Sequence, residues 1–421
     1  MVYPRAEPPR VLTRARSRRQ ARLRRTASLG VLSLGLILVF SVQLSRPVPP
    51  PALRLQVASS VVLPGSPPPI PWPRAGQAAL AVPRAGVLLA SGSETPVPVA
   101  SLTKMMTAYV VLRDHPLAGS SQGPSVTITP ADVADDYADE RQDETSIPIS
   151  TGEQLTERQL LEGLLVHSAN DLADVLARYD AGSIGAFVER MNRAAASLGL
   201  HGTRYVDPSG FDPGSVSTAR DLLRLASVDM RIPAFAAIVA MPSVSLPEAG
   251  QVMNYVQAVG TDGIVGVKSG FTAAAEGCVV LAARRYVGSV PVLVLAAVTG
   301  QAGYDALLKA SQSALAIIDA AASGLLATPV LPEGRQAGVL EAPWASPRRY
   351  AGVVTGSAAV VLGWPGQPVS IQVEPRDLRR VRRGSVVATA VVRLGAEDEV
   401  VPLRATRSVR SPSLGWRVLR G

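Results

Sequence analysis

Twenty consecutive positions without a charge, Thr26 to Ser45 (TASLGVLSLGLILVFSVQLS), stand between Arg25 and Arg46. As a helix, about twenty residues rise about 30 Å, one hydrocarbon thickness, so the run predicts a membrane-spanning segment. The next stretch, 46–74, has neither a helical nor an alternating period and is crowded with proline (Pro47, Pro49 to Pro51, Pro64, Pro67 to Pro69, Pro71, Pro73), which predicts an extended, semi-rigid stalk. The period then becomes strand-like: AALAV (78–82) and GVLLAS (86–91), divided by Pro83 and Gly86, read as a hairpin. Helical spacing follows over Leu102 to Leu112, after the capping box Thr156-Glu157-Arg158-Gln159 that opens LLEGLLVHS, and over Ala169 to Tyr179 and Ser183 to Leu198. Beyond Gly263 strands return as IVGVKSGF, GCVVLAARRY and VPVLVLAAV, and a helix over 304–326 closes the unit. From Pro329 short β-like runs (YAGVVTG, AAVVLG, VSIQV, SVVATAVVRL, VVPLRA) broken by glycine and proline predict a small all-β domain. The pattern divides the chain into a basic tail (1–25), a span (26–45), a stalk (46–74), an α+β body (75–328) and a β domain (329–421).

Composition narrows the chemistry. With 421 residues, 47% hydrophobic and 18% charged, a packed core is expected and wholesale disorder is excluded. Cys278 is the one cysteine, so no internal disulfide can form, and three scattered histidines (His115, His167, His201) cannot complete a zinc-type cluster with it. No metal and no cofactor are expected; hydroxyls, carboxylates, amides and amines must do the work. The net charge of +9 suggests a polyanion ligand until it is located: residues 1–25 carry +8, residues 329–421 carry +7, and the stretch between is acidic. With aromatics at 4%, nucleic-acid binding is not expected. Arginines before the apolar run and few just after it place the N-terminus in the cytoplasm and the body outside, a single-pass cell-membrane arrangement. A signal peptide is the competing reading, but it would have a shorter apolar core and a prompt small-x-small cleavage site, where this chain has Arg46-Pro47-Val48-Pro49-Pro50-Pro51.

Three short motifs carry candidate chemistry. In VPVASLTKMMTAYVVL, a helix starting beside Ser101 would bring Lys104 round one turn to the same face, within reach of the hydroxyl. A lysine can activate a serine only when neutral, which desolvation, a helix N-terminus or a neighbouring cation would favour. Ser168-Ala169-Asn170 follows the capped helix, and Lys268-Ser269-Gly270-Phe271-Thr272 lies in a predicted strand. Each is commonplace alone. In this order, with helices set between a hairpin and a three-strand meander, they match the set Ser-x-x-Lys, Ser-x-Asn, Lys-Thr-Gly of penicillin-recognising serine enzymes.

On these motifs, and on PVASLTKMMTA, GLLVHSANDLA, TRYVDPSGFDPGSVSTARDLLRLA and DGIVGVKSGFTAAAEG, the chain resembles the low-molecular-mass penicillin-binding proteins that are D-alanyl-D-alanine carboxypeptidases. The resemblance runs from about Ala78 to Leu326 and, more loosely, into VRRGSVVATAVVRL. It implies a β-lactamase/DD-peptidase-like antiparallel sheet with a helical subdomain, acting on peptidoglycan stem peptides ending in D-Ala-D-Ala and acylated by β-lactam antibiotics. It implies Ser101 as nucleophile and Lys104 as its base, with Ser168 and Lys268 relaying the proton to the departing D-alanine. Asn170 would hold the substrate backbone, and Ser269 and Thr272 its terminal carboxylate. The amides of Ser101 and Phe271 would form the oxyanion hole, each such donor stabilising the oxyanion by about 3 to 4 kcal/mol, and Gly270 would let the substrate lie against the strand.

The chain departs from the family at three places. Ser269 stands where threonine is usual, keeping the hydroxyl. No arginine stands near the start of the last helix, in GQAGYDALLKA, which bears on carboxypeptidation against transpeptidation. The chain ends SLGWRVLRG without the family's usual amphipathic anchor, leaving that role to the N-terminal helix. A class A-like β-lactamase would add a glutamate for deacylation, and HGTRYVDPSGFDPG, after Ser168, has none. A non-catalytic wall-binding protein is the third alternative. Elsewhere the readings are plain: His167 structural, Cys278 a small core residue, Asp132 to Glu144 a solvated acidic loop. Arg379, Arg380, Arg382 and Arg383 read equally as a solvated turn or as a contact to anionic wall polymer or lipid.

Overall fold

The computed structural model describes residues 11–141, 144–345, 349–378 and 380–420, and side chains within them except at 11–18, 136–141, 349 and 350. The first ten residues of the basic tail, Gln142 and Asp143 of the acidic stretch, and Arg379 lie outside the described residues. The chain begins with α1 (Val11–Ser45), which runs back beyond the apolar stretch because no proline interrupts its arginine-rich first half. Arg19–Ser45 is, among the described residues, the one helix long and apolar enough to cross a membrane. Two short strands, β1 (Ala52–Leu55) and β2 (Ser60–Val62), lead to the hairpin β3 (Gln77–Val82) and β4 (Val87–Ser91). Seven helices follow: α2 (Lys104–Asp114), α3 (Pro130–Arg141), α4 (Glu157–Glu162), α5 (Asp171–Ala181), α6 (Ile184–Ser197), α7 (Ala219–Asp229) and α8 (Pro233–Val239). The meander β5 (Ile264–Thr272), β6 (Glu276–Val287) and β7 (Val290–Gln301) precedes α9 (Ala306–Ser323). The remainder includes β8 (Gln336–Glu341), β9 (Arg349–Thr355), β10 (Pro368–Pro375), β11 (Val386–Leu394), β12 (Glu397–Ala405) and the short α10 (Leu414–Leu419), and residues 326–331 and 359–363 pair in a separate two-stranded sheet.

The body is built on one antiparallel sheet ordered β5-β6-β7-β3-β4. Both faces are covered, which explains why its strands read as continuous apolar runs rather than as alternation. Val280, Ala282, Leu295 and Ala297 pack among the helices α2 to α8, while their neighbours Val279, Leu281, Ala296 and Val298 pack on Ala310, Ala314 and Ile317 of α9. The strand β5 is the sheet's outer edge beside the helical half, and the turn ahead of α2 lies against it.

The stalk expectation is corrected. Residues 52–55 pair antiparallel with β8 and residues 60–62 with β10, forming the two outer strands of a seven-stranded sheet ordered β1-β8-β9-β12-β11-β10-β2. The prolines that suggested a stalk bracket these strands, and edge positions tolerate proline because half of their backbone groups face outward. Leu63 is buried in the β domain, and Trp364 from that domain is buried against the body, its Nε1 donating to Ala321 O at 3.0 Å. The acidic stretch is corrected too. It is largely the helix α3, started by Asp132, whose Oδ2 accepts from Thr129 N (2.8 Å) and Oγ1 (2.6 Å), and stapled to α5 by Arg178 through Asp132 (2.6 Å) and Asp135.

Candidate active site

Ser101 lies in a short 3-10 turn, Ala100–Thr103, that tightens into α2. Ala100 takes a left-handed conformation (φ 48°) that turns the chain sharply into the serine. Lys104, the first residue of α2, has no exposed surface, yet its amine is fully engaged. Nζ lies 3.0 Å from Ser101 Oγ and 3.1 Å from Ser209 O, and it bonds to Asn170 Oδ1. The loop 207–212 is what aims the Ser209 carbonyl. Asp207 accepts from Ser209 Oγ (2.7 Å), Gly210 N (2.7 Å), Phe211 N (2.9 Å) and Ser215 Oγ, and Thr107 Oγ1 donates to Pro208 O at 2.6 Å, tying the loop to α2.

Ser168 follows one π-helical turn, Gly163–His167, and is itself left-handed (φ 70°) and buried. That turn delivers Asn170 to the start of α5. Asn170 N donates to Thr145 O at 2.7 Å, and its side-chain Nδ2 donates to Glu144 Oε2. On β5, Lys268 and Ser269 are buried while Phe271 stands out into solvent. Lys268 Nζ donates to Ser269 O at 2.9 Å, and no hydrogen bond joins it to Ser168 among the described residues. Burial, and after it the charge of Lys104, holds the Lys268 amine well below its usual range. At Gly270 a Cβ would lie 2.8 Å from Ser101 N and 3.1 Å from Ala100 Cβ, so the missing side chain also admits the turn that carries Ser101.

Ser101, Ser168, Ser269, Gly270 and Phe271 line one cleft of about 940 Å³, together with Thr145, Tyr304 to Leu308, Ser311 and Gln312. Thr272 is not brought to it; it sits at the β5–β6 turn, where Oγ1 accepts from Ala275 N at 3.1 Å. No arginine or lysine lines this cleft among the described residues, and Lys309 is turned to Asp305 (2.7 Å) and Ala302 O (3.2 Å).

The sequence profile described as D-alanyl-D-alanine carboxypeptidase matches residues 74–299. The chain belongs to that family. A D-alanyl-D-alanine endopeptidase of Pseudomonas aeruginosa is 37% identical over 147 residues, 35% of this chain and 44% of that protein. A D-alanyl-D-alanine carboxypeptidase of Mycobacterium tuberculosis is 35% identical over 195 residues, 45% of this chain and 62% of its own length. The chain thus spans about half of the length of these relatives. The solved penicillin binding protein 5 of Haemophilus influenzae superposes with a TM-score of 0.56 over 82% of this chain and all of that one, at 22% identity, a likeness of fold.

Within this family's fold, three groups escaped the sequence reading. Ser209 and Asp207 lay in VDPSGFDPG, a stretch quoted for its resemblance but given no role. Glu144 lay in the acidic stretch and reaches Asn170 from 26 residues upstream. Its half-buried carboxyl is raised by desolvation, against the lowering from Asn170 and Lys104. His167 packs its ring on Tyr255, centroids 5.2 Å apart, and burial lowers its pKa. Cys278 is buried, with its thiol pushed up to about 11 by desolvation. Arg380, Arg382 and Arg383 are exposed on the turn before β11.

Proposed function

We propose that the chain is a serine DD-peptidase that cleaves after D-alanine in peptidoglycan stem peptides through an acyl-enzyme on Ser101, and that penicillins acylate the same hydroxyl. The observation that carries this is the coordination of Lys104. A neutral amine has two N–H donors and one lone pair. With Asn170 Oδ1 and Ser209 O taking these two donors, a neutral amine would present its lone pair to Ser101 Oγ, 3.0 Å away. Lys104 is therefore held as a base aimed at one proton. The second buried amine, Lys268, is held well below its usual range by burial and then by the charge of Lys104.

Acylation then follows. Lys104 takes the Ser101 proton as Oγ attacks the carbonyl of the penultimate D-alanine. The Ser101 and Phe271 amides receive the oxyanion, and the C–N bond breaks as the proton reaches the departing amine by way of Ser168. Ser269 would bind the end of the substrate. The apolar N-terminal helix α1 would hold the body on the outer face of the cell membrane, and α10 supports that placement by gripping its end: Arg420 donates to Arg46 O at 2.6 Å and to Gln43 O at 3.2 Å.

A second reading is favoured by a specific feature. The cleft lacks a cation among its described lining residues and carries Asp305, so it suits a substrate whose chain continues past the scissile bond as well as one ending in a free carboxylate. That is endopeptidase rather than carboxypeptidase cleavage. The test is direct: incubate with fluorescent penicillin, map the adduct, and compare release of free D-alanine from a pentapeptide with cleavage of a cross-linked dimer. An adduct on Ser101 that disappears in Ser101→Ala is expected; an adduct elsewhere, or none, defeats the proposal.

A further inference from the structure

Resting on the Ser101 acyl-enzyme proposed above, the geometry points to Glu144 as a further catalytic residue, the general base for the water that releases the acyl group. The argument turns on which proton acceptor the cleft water can reach. Lys104 has no exposed surface, and its Nζ lies 3.0 Å from Oγ, which in the acyl-enzyme is an ester oxygen with no proton to give. Lys268 is 1% exposed and bonded to Ser269 O. Asp207 is saturated by five donors, from Ser209, Gly210, Phe211, Asp212 and Ser215. Glu144 differs from all three. It is half-exposed beside Thr145, which lines the cleft, and its one hydrogen-bond donor among the described residues is Asn170 Nδ2.

Asn170 also orients the pair. Its amide nitrogen is committed to Glu144 and its amide oxygen to Lys104, so carboxylate and amine are held on opposite sides of one rigid plane in the same site. Desolvation raises the proton affinity of Glu144, which suits a base acting near neutral pH.

The step balances as follows. Water oxygen bonds to the acyl carbonyl carbon as its proton passes to the Glu144 carboxylate. The C–Oγ bond then breaks as Glu144 gives that proton back to the departing Oγ by way of solvent in the cleft. Ester and water become acid and hydroxyl, with both side chains restored. The glutamate sought downstream of Ser168 thus arrives from upstream, on the segment that leaves α3.

The test separates the two halves of the reaction with Glu144→Gln, which keeps an oxygen for Asn170 Nδ2 but cannot take a proton. Acylation by fluorescent penicillin should stay within about threefold of wild type, while release of the label and of a D-Ala-D-Ala peptide acyl group should slow at least tenfold. The wild-type release rate should rise with pH through the Glu144 titration, and the variant should lose that limb. Equal loss in acylation and release would show that Glu144 merely supports Asn170, and unchanged release would remove it from the mechanism; either overturns the proposal. A wild-type protein that forms no adduct defeats the Ser101 reading itself, a distinct outcome.

Discussion

Gly270 and Ser101 sit so close that a single added carbon on the strand would lie 2.8 Å from the serine's backbone nitrogen. The neighbours within reach are backbone atoms and the Ala100 methyl, none of which can swing aside. Gly270→Ala must therefore push the turn that carries Ser101 away from β5. A shift of about 1 Å in a reacting group costs on the order of a hundredfold in rate. Penicillin acylation of this variant should fall at least tenfold with its melting temperature little changed; acylation within twofold of wild type would show that the turn is not held by this contact.

Lys104→Arg tests the base. The guanidinium remains charged, and its planar fork cannot present a lone pair to Oγ. Acylation should drop more than tenfold, about 1.4 kcal/mol of barrier. Retention of a tenth or more of the wild-type rate would assign the proton to another group.

Asp229 offers a stability prediction remote from the cleft. It is fully buried at the end of α7, both carboxyl oxygens lack a hydrogen-bond partner among the described residues, and desolvation raises its pKa well above the ordinary value. Unfolded, the group ionises in the usual carboxylate range; folded, it keeps its proton to higher pH. The unfolded state then binds fewer protons, so stability falls as pH rises through that interval. Asp229→Asn removes this dependence. Its melting temperature at pH 7.5 should exceed wild type by about 2 °C or more, the order expected for about 1 kcal/mol, and the gap should close near pH 4. A variant that is less stable than wild type at both pH values would mean that the carboxyl is satisfied in the folded protein.

The paired edge strands predict where the chain can be cut. Protease should act at residues 46–51, ahead of β1, and spare residues 52–62, whose backbone is hydrogen-bonded into the sheet. A recombinant body starting at residue 47 should be monomeric, whereas one starting at 75 uncovers the edges of β8 and β10 and should self-associate or lose its β domain. Gel filtration of the two distinguishes the cases; indistinguishable monomers would show that the pairing is dispensable.

Much of the body was legible because its signals are local. The apolar runs of β6 and β7, the capping box at Thr156 and the Ser101–Lys104 spacing each depend on neighbours a few residues apart. What sequence hid depends on distant partners. The segment ALRL at 52–55 is too short to declare a strand until Gln336–Glu341 stands beside it. Glu144 is one carboxylate among many until Asn170 donates to it. The stretch 130–141 looked solvated because its charges were counted without Arg178, which neutralises two of them from another helix. Thr272 was misplaced for the opposite reason: the motif put it beside Ser269 and Phe271, but the hairpin turn uses its hydroxyl.

The seven-stranded sheet also dictates an order of assembly. Its first two strands are made before the catalytic body and their partners after it, so in synthesis the segment 52–62 must wait, unpaired, while some three hundred residues emerge. The body, whose own strands and helices close on each other earlier, can be complete by then. When β8 and β10 arrive they pair with strands that have waited since before the body was made, and a ribosome stall or truncation anywhere beyond the body would leave two sticky strands exposed. A nascent-chain series that gained penicillin reactivity before it gained protease resistance at 52–62 would display that sequence of events.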